Sequence, residues 1–269
     1  MTVLVTGATG SVGRLVVDAL LAAGATDVRA LTTDPARAAL PPTVEIAHGS
    51  VARPSTLPAA LDGVDRMYLA PYPRTVHRVA RLARDAGVRH IVDLAGPKDG
   101  HWGEVEIGVE AAGTGWTHLE AGEFMANADL WAPQIRAGDT VRDGYGAAAN
   151  APIAMEDIAA AAATVLLDPT GHDHRAYDLT GPAAITREEK VHQIGAALGR
   201  TLTFVDLPHD EFVAQLTPVM GDYAAWYADG IRLLAAHPQA PTPDLATLLD
   251  RPATTFAAWA AANTALFQA

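Results

Sequence analysis

Apolar, β-branched runs alternate with longer stretches of helical periodicity through about the first 120 residues of the chain. In the first helical stretch, Val12, Val16 and Leu20 recur on one helix face, and Gly24 follows its end. Strands that alternate with amphipathic helices are typical of a parallel sheet with helices on both faces. We therefore predict an α/β fold with a doubly wound parallel sheet of the Rossmann type. Its strands are expected at residues 3–6, 27–31, 44–47, 66–70, 89–95 and 116–120.

The pattern changes after about residue 121. An apolar helix is predicted for about residues 155–168, and a strand near 175–180 is expected to join the same sheet. Thr186 and Glu189 have the spacing of a capping box that opens another helix. A further strand is predicted at 201–207, and the rest is Ala-rich and helical. We predict a Rossmann domain over residues 1–160 and a smaller, mostly helical substrate-side region formed by 181–269 with parts of 121–150.

The amino-acid composition excludes several classes of protein and site. The chain has 269 residues, a formal net charge of −12 and no cysteine, which excludes disulfides, thiol catalysis and thiolate metal sites. The acidic balance, with no Lys/Arg cluster, argues against nucleic-acid binding. No apolar stretch reaches the roughly 18 residues of a membrane span, and no secretion signal is recognisable. We expect a cytoplasmic protein that acts on a small molecule, with no metal site and with a homodimer left open.

Three glycines at a spacing of three residues, Gly7, Gly10 and Gly13, join the first strand to the first helix. At such a junction the unpaired N–H groups and the positive end of the helix dipole favour a pyrophosphate. The first glycine permits a tight turn, the second a close approach of the backbone to phosphate, and the third close packing of helix on strand. The P-loop alternative is excluded, because no Gly-Lys-Ser/Thr is present. The junction therefore predicts a dinucleotide site.

The identity of the dinucleotide depends on the end of the second strand. Asp34 lies where an acid would hold the ribose 2′-OH of NAD, although it could instead cap a short helix around 36–40. Arg14 and Arg37 could reach the 2′-phosphate of NADP. We prefer NADP, with Arg14 as the favoured contact, and keep NAD as the alternative. The predicted cofactor-binding residues are Gly7, Thr9, Gly10, Ser11, Val12, Gly13, Arg14, Thr33, Leu69, Ala70, Pro71, Leu94 and Ala95.

Several motifs together resemble the NmrA-like family of atypical short-chain dehydrogenases/reductases. They are VTGATGSVGR (5–14), LAP (69–71), AGVRHIVDLA (86–95), GTGWTHLEAGEFMAN (113–127), APIAMEDIAAAA (151–162) and YDLTGP (177–182). The resemblance implies a Rossmann domain, a small C-terminal substrate domain and NAD(P) binding. It also implies a choice of roles, because the family includes NAD(P)H-dependent reductases, quinone reductases and cofactor-sensing regulators with little or no catalysis.

The usual acid of short-chain dehydrogenases is missing, because no tyrosine has a lysine four residues later. Ala95 stands where relatives carry a hydroxyl, and Gly103 stands where many carry a lysine three residues before the glutamate at 106. The family pattern Leu-Arg-Pro is replaced by Leu119, Glu120 and Ala121. Glu120 is therefore a candidate general base if burial raises its pKa, unless it pairs with an arginine such as Arg136. His101 is the second candidate for proton transfer.

Three loops at 70–74, 95–104 and 120–127 follow strand ends, where ligands bind in open α/β sheets. The substrate pocket is predicted to include Tyr72, Trp102, Glu123, Phe124 and Asn127. Hydride transfer depends chiefly on orientation, so a reductase without the Tyr–Lys pair is physically sound. We predict an NAD(P)H-dependent oxidoreductase acting on a carbonyl, quinone or enone. The alternatives are a redox-sensing regulator without catalysis and a non-redox dehydratase, isomerase or cyclase that uses Glu120 and His101.

Overall fold

The computed structural model describes residues 1–100 and 102–268. Its strands are β1 (Thr2–Val5), β2 (Val28–Thr32), β3 (Glu45–His48), β4 (Val64–Leu69), β5 (His90–Ala95), β6 (Gly115–Ala121), β7 (Thr140–Gly144), β8 (Ala149–Asn150), β9 (Arg175–Leu179), β10 (Ile185–Thr186) and β11 (Thr203–Leu207). Its helices are α1 (Ser11–Ala22), α2 (Pro58–Leu61), α3 (Val76–Asp85), α4 (Gly103–Glu110), α5 (Ala132–Ala137), α6 (Met155–Leu167), α7 (Arg187–Leu198), α8 (His209–Met220), α9 (Tyr223–Ala236), α10 (Asp244–Leu249) and α11 (Phe256–Ala262). Within these described residues, no helix combines the length and apolar character needed to cross a bilayer.

Seven of the described strands form one sheet in the order β3-β2-β1-β4-β5-β6-β9, and every neighbouring pair is parallel. This order contains the 3-2-1-4-5-6 arrangement of dinucleotide-binding sheets. The predicted fold class is therefore confirmed, including the return of the strand near 175–180 to the same sheet. Because the strands are parallel, their carboxyl ends lie at one edge.

Helices cover the sheet because its strands are apolar on both faces. All six residues of β5 are buried. Ile91 and Ala95 belong to a core that also contains Val76 and Val79 of α3 and Val105 of α4. Helices α1 and α6 pack against each other, and α6 also contacts β4, β5 and β6. A strand that is buried along its whole length in this way is what a parallel sheet covered on both faces requires.

The chain divides into two compact units. The first comprises Met1–Gly122, Met155–Leu179 and Asp244–Arg251, and it contains the whole parallel sheet. Helix α10 belongs to this unit, although its sequence lies far from the other segments. The carboxylate of Asp244 accepts a hydrogen bond of 3.0 Å from the Asp178 backbone N–H, and Arg251 pairs with the buried Asp157 at 2.7 Å.

The second unit comprises Glu123–Ala154, Thr180–Pro243 and Pro252–Ala269. Its core includes Met125, Trp131, Ile135, Phe256 and Trp259. The capping box predicted at the start of α7 is confirmed, with both of its hydrogen bonds formed. Strand β11 pairs in parallel with β7, which the sequence pattern had not indicated, because the adjacent glycines favour a turn. Val141 of β7 is fully buried and belongs to the apolar core of this unit, which holds β7 in place.

Candidate functional site

The turn between β1 and α1 is built around glycine. Gly7 adopts a φ of +62°, and its carbonyl accepts a hydrogen bond of 2.8 Å from Gly10 N–H. A Cβ atom on Gly13 would lie 2.1 Å from the Gly7 carbonyl oxygen, and one on Gly7 would lie 2.9 Å from the Ala70 Cβ. Helix α1 begins after Gly10, which has no side chain to cover the N–H groups of the first turn. The residues present therefore fit a dinucleotide pyrophosphate.

Neighbouring strand ends complete the edge on which this turn lies. The Thr6 hydroxyl accepts a hydrogen bond of 2.8 Å from Ala70 N–H, which joins the end of β1 to the loop after β4. Leu69 is buried at the end of β4, and Leu94 and Ala95 are buried at the end of β5. Since β1, β4 and β5 are adjacent in the sheet, the predicted cofactor residues on these strands come together at one edge.

A cleft of about 190 Å³ opens at the end of β2. It is lined by Thr9, Thr32, Thr33, Asp34 and Arg37. Asp34 precedes a short 3₁₀ helix but its side chain makes no capping hydrogen bond there. The cleft has the composition expected of a site for the adenosine ribose and its 2′ substituent, with one acid and one cation available.

Arg14, the favoured phosphate contact, is engaged elsewhere. Its Nε atom pairs with Asp18 at 3.1 Å, and its Nη1 atom donates to the Ala39 carbonyl at 2.8 Å. Arg37 is exposed and lines the cleft itself. The geometry therefore gives Arg37 the better position for a 2′-phosphate, whereas the Arg14 contact stays a prediction.

Trp116, His118 and Glu120 project from one face of β6. The rings of Trp116 and His118 stack with centroids 4.0 Å apart. His118 Nδ1–H donates to Asp93 Oδ2 at 2.7 Å, and both side chains are fully buried. Burial by itself lowers the pKa of His118, but the hydrogen bond and charge of Asp93 outweigh it, so the net pKa is raised. The His118 imidazole therefore keeps its second proton to a higher pH than an ordinary histidine does.

Glu106 on α4 is a member of this group that sequence reasoning did not select. It is only 2% exposed, and burial together with the nearby Glu120 carboxylate raises the pKa of Glu106 to about 7. The Glu106 carboxyl group donates a hydrogen bond to Glu120 when it is protonated. The burial of Glu106 could have been inferred from the helix pattern. Val105 and Val109 are apolar and define the buried face of α4, and position 106 falls close to that face.

Helix α4 is held close to its neighbours by small residues and by an ion pair. A Cβ atom on Gly108 would lie 2.5 Å from Val76 Cγ1, so only glycine permits the observed approach of α4 to α3. Lys98 in the preceding loop donates to Glu110 at 2.8 Å. Glu110 Oε1 in turn lies 3.5 Å from His118 Nε2. The helix thus presents two carboxylates to the face of the sheet that carries Asp93 and His118.

Comparison with known proteins agrees with this geometry. A family model described as NAD(P)H-binding matches residues 7–106. The chain is 36% identical to (4-alkanoyl-5-oxo-2,5-dihydrofuran-3-yl)methyl phosphate reductase of Streptomyces griseus, over 98% of this chain and 99% of that protein. It is 35% identical to NAD(P)H azoreductase of Xenophilus azovorans, over 99% of each. The chain belongs to the NmrA-like family of atypical short-chain dehydrogenases/reductases.

A solved structure supports the same assignment. The crystal structure of an NADPH-dependent quinone oxidoreductase from Escherichia coli superposes with a TM-score of 0.85 at 25% identity, covering 97% of this chain and 99% of that one. The predicted NmrA-like family and its NAD(P)-binding Rossmann fold are therefore confirmed. The glycine turn, which is the most local of the sequence signals, lies at the start of the matched residues 7–106.

The remaining predicted residues of the first unit lie as follows. Tyr72 is half-buried in the loop after β4, and Trp102, immediately before α4, is 43% exposed. His101 lies outside the described residues. Glu120 occupies the penultimate position of β6 and is half-buried, next to Ala95 of β5 in the sheet register. Arg136 in the second unit donates to the Leu266 carbonyl at 2.6 Å.

In the second unit, Glu123 is part of a buried network. Its carboxylate accepts hydrogen bonds from Lys190 Nζ at 2.9 Å and from Asn150 Nδ2 at 2.5 Å. Burial alone raises the pKa of Glu123, but the positive charges of Lys190 and Arg187 lower it overall. Phe124 and Asn127 are half-buried nearby in the chain. The predicted substrate contacts of these residues stay predictions, and the structure gives Glu123 a firm structural role as well.

Proposed function

We propose that this chain is an NADPH-preferring reductase that adds hydride to a polarised multiple bond of a small organic molecule, such as a quinone, an enone, a carbonyl or an azo group. As an NmrA-like protein that matches reductases over almost its whole length, it is an NAD(P)H-dependent oxidoreductase. The observation that carries the proposal is the glycine turn, because a Cβ atom at Gly13 could not coexist with the Gly7 carbonyl.

The substrate class rests on what the relatives have in common. The Streptomyces griseus protein is named for an alkanoyl-substituted oxo-dihydrofuran, the Xenophilus azovorans protein for an azo group and the Escherichia coli protein for a quinone. Each of these groups is an electron-poor π system that accepts hydride and then a proton. Such substrates need orientation and a proton source more than they need the Tyr–Lys acid, which this chain lacks.

Different residues of the chain are assigned to cofactor binding and to proton donation. The bound dinucleotide supplies the hydride. The first turn of α1 holds the pyrophosphate, and Arg37 with Thr33 holds the 2′-phosphate in the cleft at the end of β2. Glu120, at the carboxyl edge of β6, gives a proton to the reduced substrate. His101, the second residue predicted for proton transfer, lies outside the described part of the chain.

Titration with NADPH and NADH by fluorescence or calorimetry tests the dinucleotide site. Gly13→Ala is expected to weaken binding of both nucleotides by about 100-fold or more, because the turn must deform to admit the methyl group. Gly230→Ala is the matched control, since its helical position has open space around it. Binding by Gly13→Ala at the wild-type level would contradict the proposed site.

Turnover separates a reductase from the other roles. NADPH oxidation should be measured with a substituted benzoquinone, an acyl butenolide, an aryl azo compound and a simple ketone. Reduction of at least one of them supports the proposal. Tight NADPH binding with no turnover on the whole panel contradicts it and favours a regulator or a non-redox enzyme.

A further inference from the structure

An unusual concentration of unpaired polar atoms lies between α4 and the sheet. Asp93 Oδ1, Glu106 Oε1 and His118 Nε2 are all buried without a hydrogen-bond partner, and they make up three of the five such side-chain atoms in the described part of the chain. Their side chains are each 2% exposed or less. Native proteins rarely leave buried polar atoms unpaired, and where they do the group often has a chemical role. These three belong to one connected cluster.

The cluster is ordered along the strands. Asp93 lies beside His118 in the register of β5 and β6, and Ala95 lies beside Glu120 two residues further on. Asp93 therefore faces the same side of the sheet as Glu120, and α4, which carries Glu106, packs against both β5 and β6. Of these groups, Glu120 stands nearest the carboxyl edge, where ligands bind in such sheets. The line of ionisable groups thus runs from the buried pair to the proposed site.

The charges around the cluster favour a retained proton. The carboxylates of Asp93, Glu110 and Glu120 lie together in this cluster, with Asp178 beside Glu120 in the sheet, and the cations that act on the cluster are His118 and Lys98. His118 Nε2 is 3.5 Å from a Glu110 oxygen, so protonation of that nitrogen replaces a repulsion between lone pairs by an ion-pair contact. Two neighbouring carboxyl groups such as Glu106 and Glu120 cannot both ionise without a cost, and this cost adds to burial in keeping a proton on Glu106.

We propose that Glu106 and the His118–Asp93 pair form an internal proton store that supplies the proton Glu120 delivers in each reduction. The inference rests on the proposed function. Hydride addition leaves a negative charge on the substrate, and Glu120 passes to it the proton that Glu106 holds. Glu106 is left as a carboxylate and regains one proton from water by way of Glu120, the half-exposed member of the pair. Each turnover consumes one hydride and one proton. Glu120 is the catalytic residue, and Glu106 and His118 are positioning residues that act through it.

The first test needs neither nucleotide nor substrate. Carbon-13 NMR of labelled glutamate side chains, assigned by the loss of one signal in Glu106→Gln, gives the titration of Glu106 directly. A midpoint near 7 is expected. The imidazole titration of His118, followed by nitrogen-15 NMR and by the fluorescence of the stacked Trp116, is expected to move to lower pH in Glu106→Gln. A Glu106 midpoint near the ordinary value of about 4.3, with His118 unmoved by the substitution, overturns the inference.

The second test is kinetic and uses three variants. Glu106→Gln should lower kcat by about tenfold or more at neutral pH, with KM and NADPH affinity unchanged, and should remove the fall of kcat above about pH 7. Glu106→Asp should restore part of the rate, because it again carries a transferable proton. Glu104→Gln, on the same helix and exposed, should behave as wild type. An unchanged pH profile in Glu106→Gln overturns the store. Absence of NADPH turnover in wild type refutes the proposed function instead, and the NMR titration then decides the store alone.

Discussion

Replacing His90 by Gln should flatten the dependence of stability on pH. His90 is the first residue of β5 and is 4% exposed. The Thr117 hydroxyl donates its only proton to the His172 carbonyl at 2.7 Å, so it must accept from His90 Nε2–H at 2.9 Å. His90 therefore carries a proton on Nε2, so that in its neutral form Nδ1 is unprotonated. Burial lowers the pKa of His90 to about 4, and Asp173, 3.5 Å away, offsets this only in part.

The size and sign of the effect follow from this shift. In the unfolded chain the pKa of a histidine is about 6.5, so between about pH 6.5 and about pH 4 the unfolded state binds a proton that the folded state rejects. The contribution of neutral His90 is fully present above about pH 6.5 and is lost as the pH falls towards 4. One pKa unit corresponds to about 1.4 kcal/mol, so the loss approaches roughly 3 kcal/mol.

Urea unfolding followed by circular dichroism, at several values from about pH 7.5 to about pH 4.5, measures this loss. Carboxylates also titrate in this range, so the informative quantity is the difference between wild type and His90→Gln at each pH. Gln keeps a donor for Thr117 but does not titrate, so the difference should shrink by about 2 kcal/mol or more on acidification. His192→Gln, at an exposed position, is the control. Parallel curves for wild type and His90→Gln would refute the assignment of a buried neutral imidazole.

Two further changes test the cofactor cleft and the second unit. Arg37→Gln should weaken NADPH about 10- to 100-fold and leave NADH nearly unaffected, because it removes a charge-assisted contact to the 2′-phosphate, and paired calorimetric titrations check this. Equal losses for both nucleotides would contradict it. Asp143→Ala should destabilise the fold by about 3–5 kcal/mol, because it leaves the Arg187 guanidinium buried without its carboxylate. In the same urea assay Asp139→Ala, which removes an exposed pair with Arg200, should cost below about 1 kcal/mol, and similar losses for the two variants would refute the argument.

The parts of the fold that depend on local pattern could be predicted from the sequence. The glycine turn is specified within about a dozen residues, since a strand, three glycines and an apolar helix each have their own periodicity. The capping box of α7 is equally local. By contrast, β7 becomes a strand only because β11, some 60 residues later, pairs with it. Helix α10 joins the first unit through contacts with equally distant segments. Pairings of this range leave no periodicity that a single sequence reveals.

In the candidate site, too, features set by the local sequence could be predicted and features set by distant contacts could not. Sequence order made Arg14 the favoured phosphate contact, because it directly follows the glycines, but the Asp18 carboxylate four residues along the helix engages it. Arg37 lines the cleft because β2 ends there, which depends on sheet order and not on distance along the chain. Spacing within an element could be predicted, whereas the direction of a long side chain depends on which partner lies within its reach.

The presence of Glu120 where the family pattern has an arginine changes the charge around Glu106, on the face of the sheet that α4 covers. With an arginine at position 120, the nearby Glu106 would face a cation and would ionise readily. With Glu120 there, Glu106 faces a like charge inside a buried layer, and its carboxyl group retains a proton near neutral pH. The hydrogen bond and charge of Asp93, together with the charge of Glu110, raise the pKa of His118 against the cost of burial. In the proposed mechanism, Glu106 of α4 and Glu120 of β6 supply the acid that a Tyr–Lys pair would otherwise provide, at the cost of several buried polar atoms without partners in the described part of the chain.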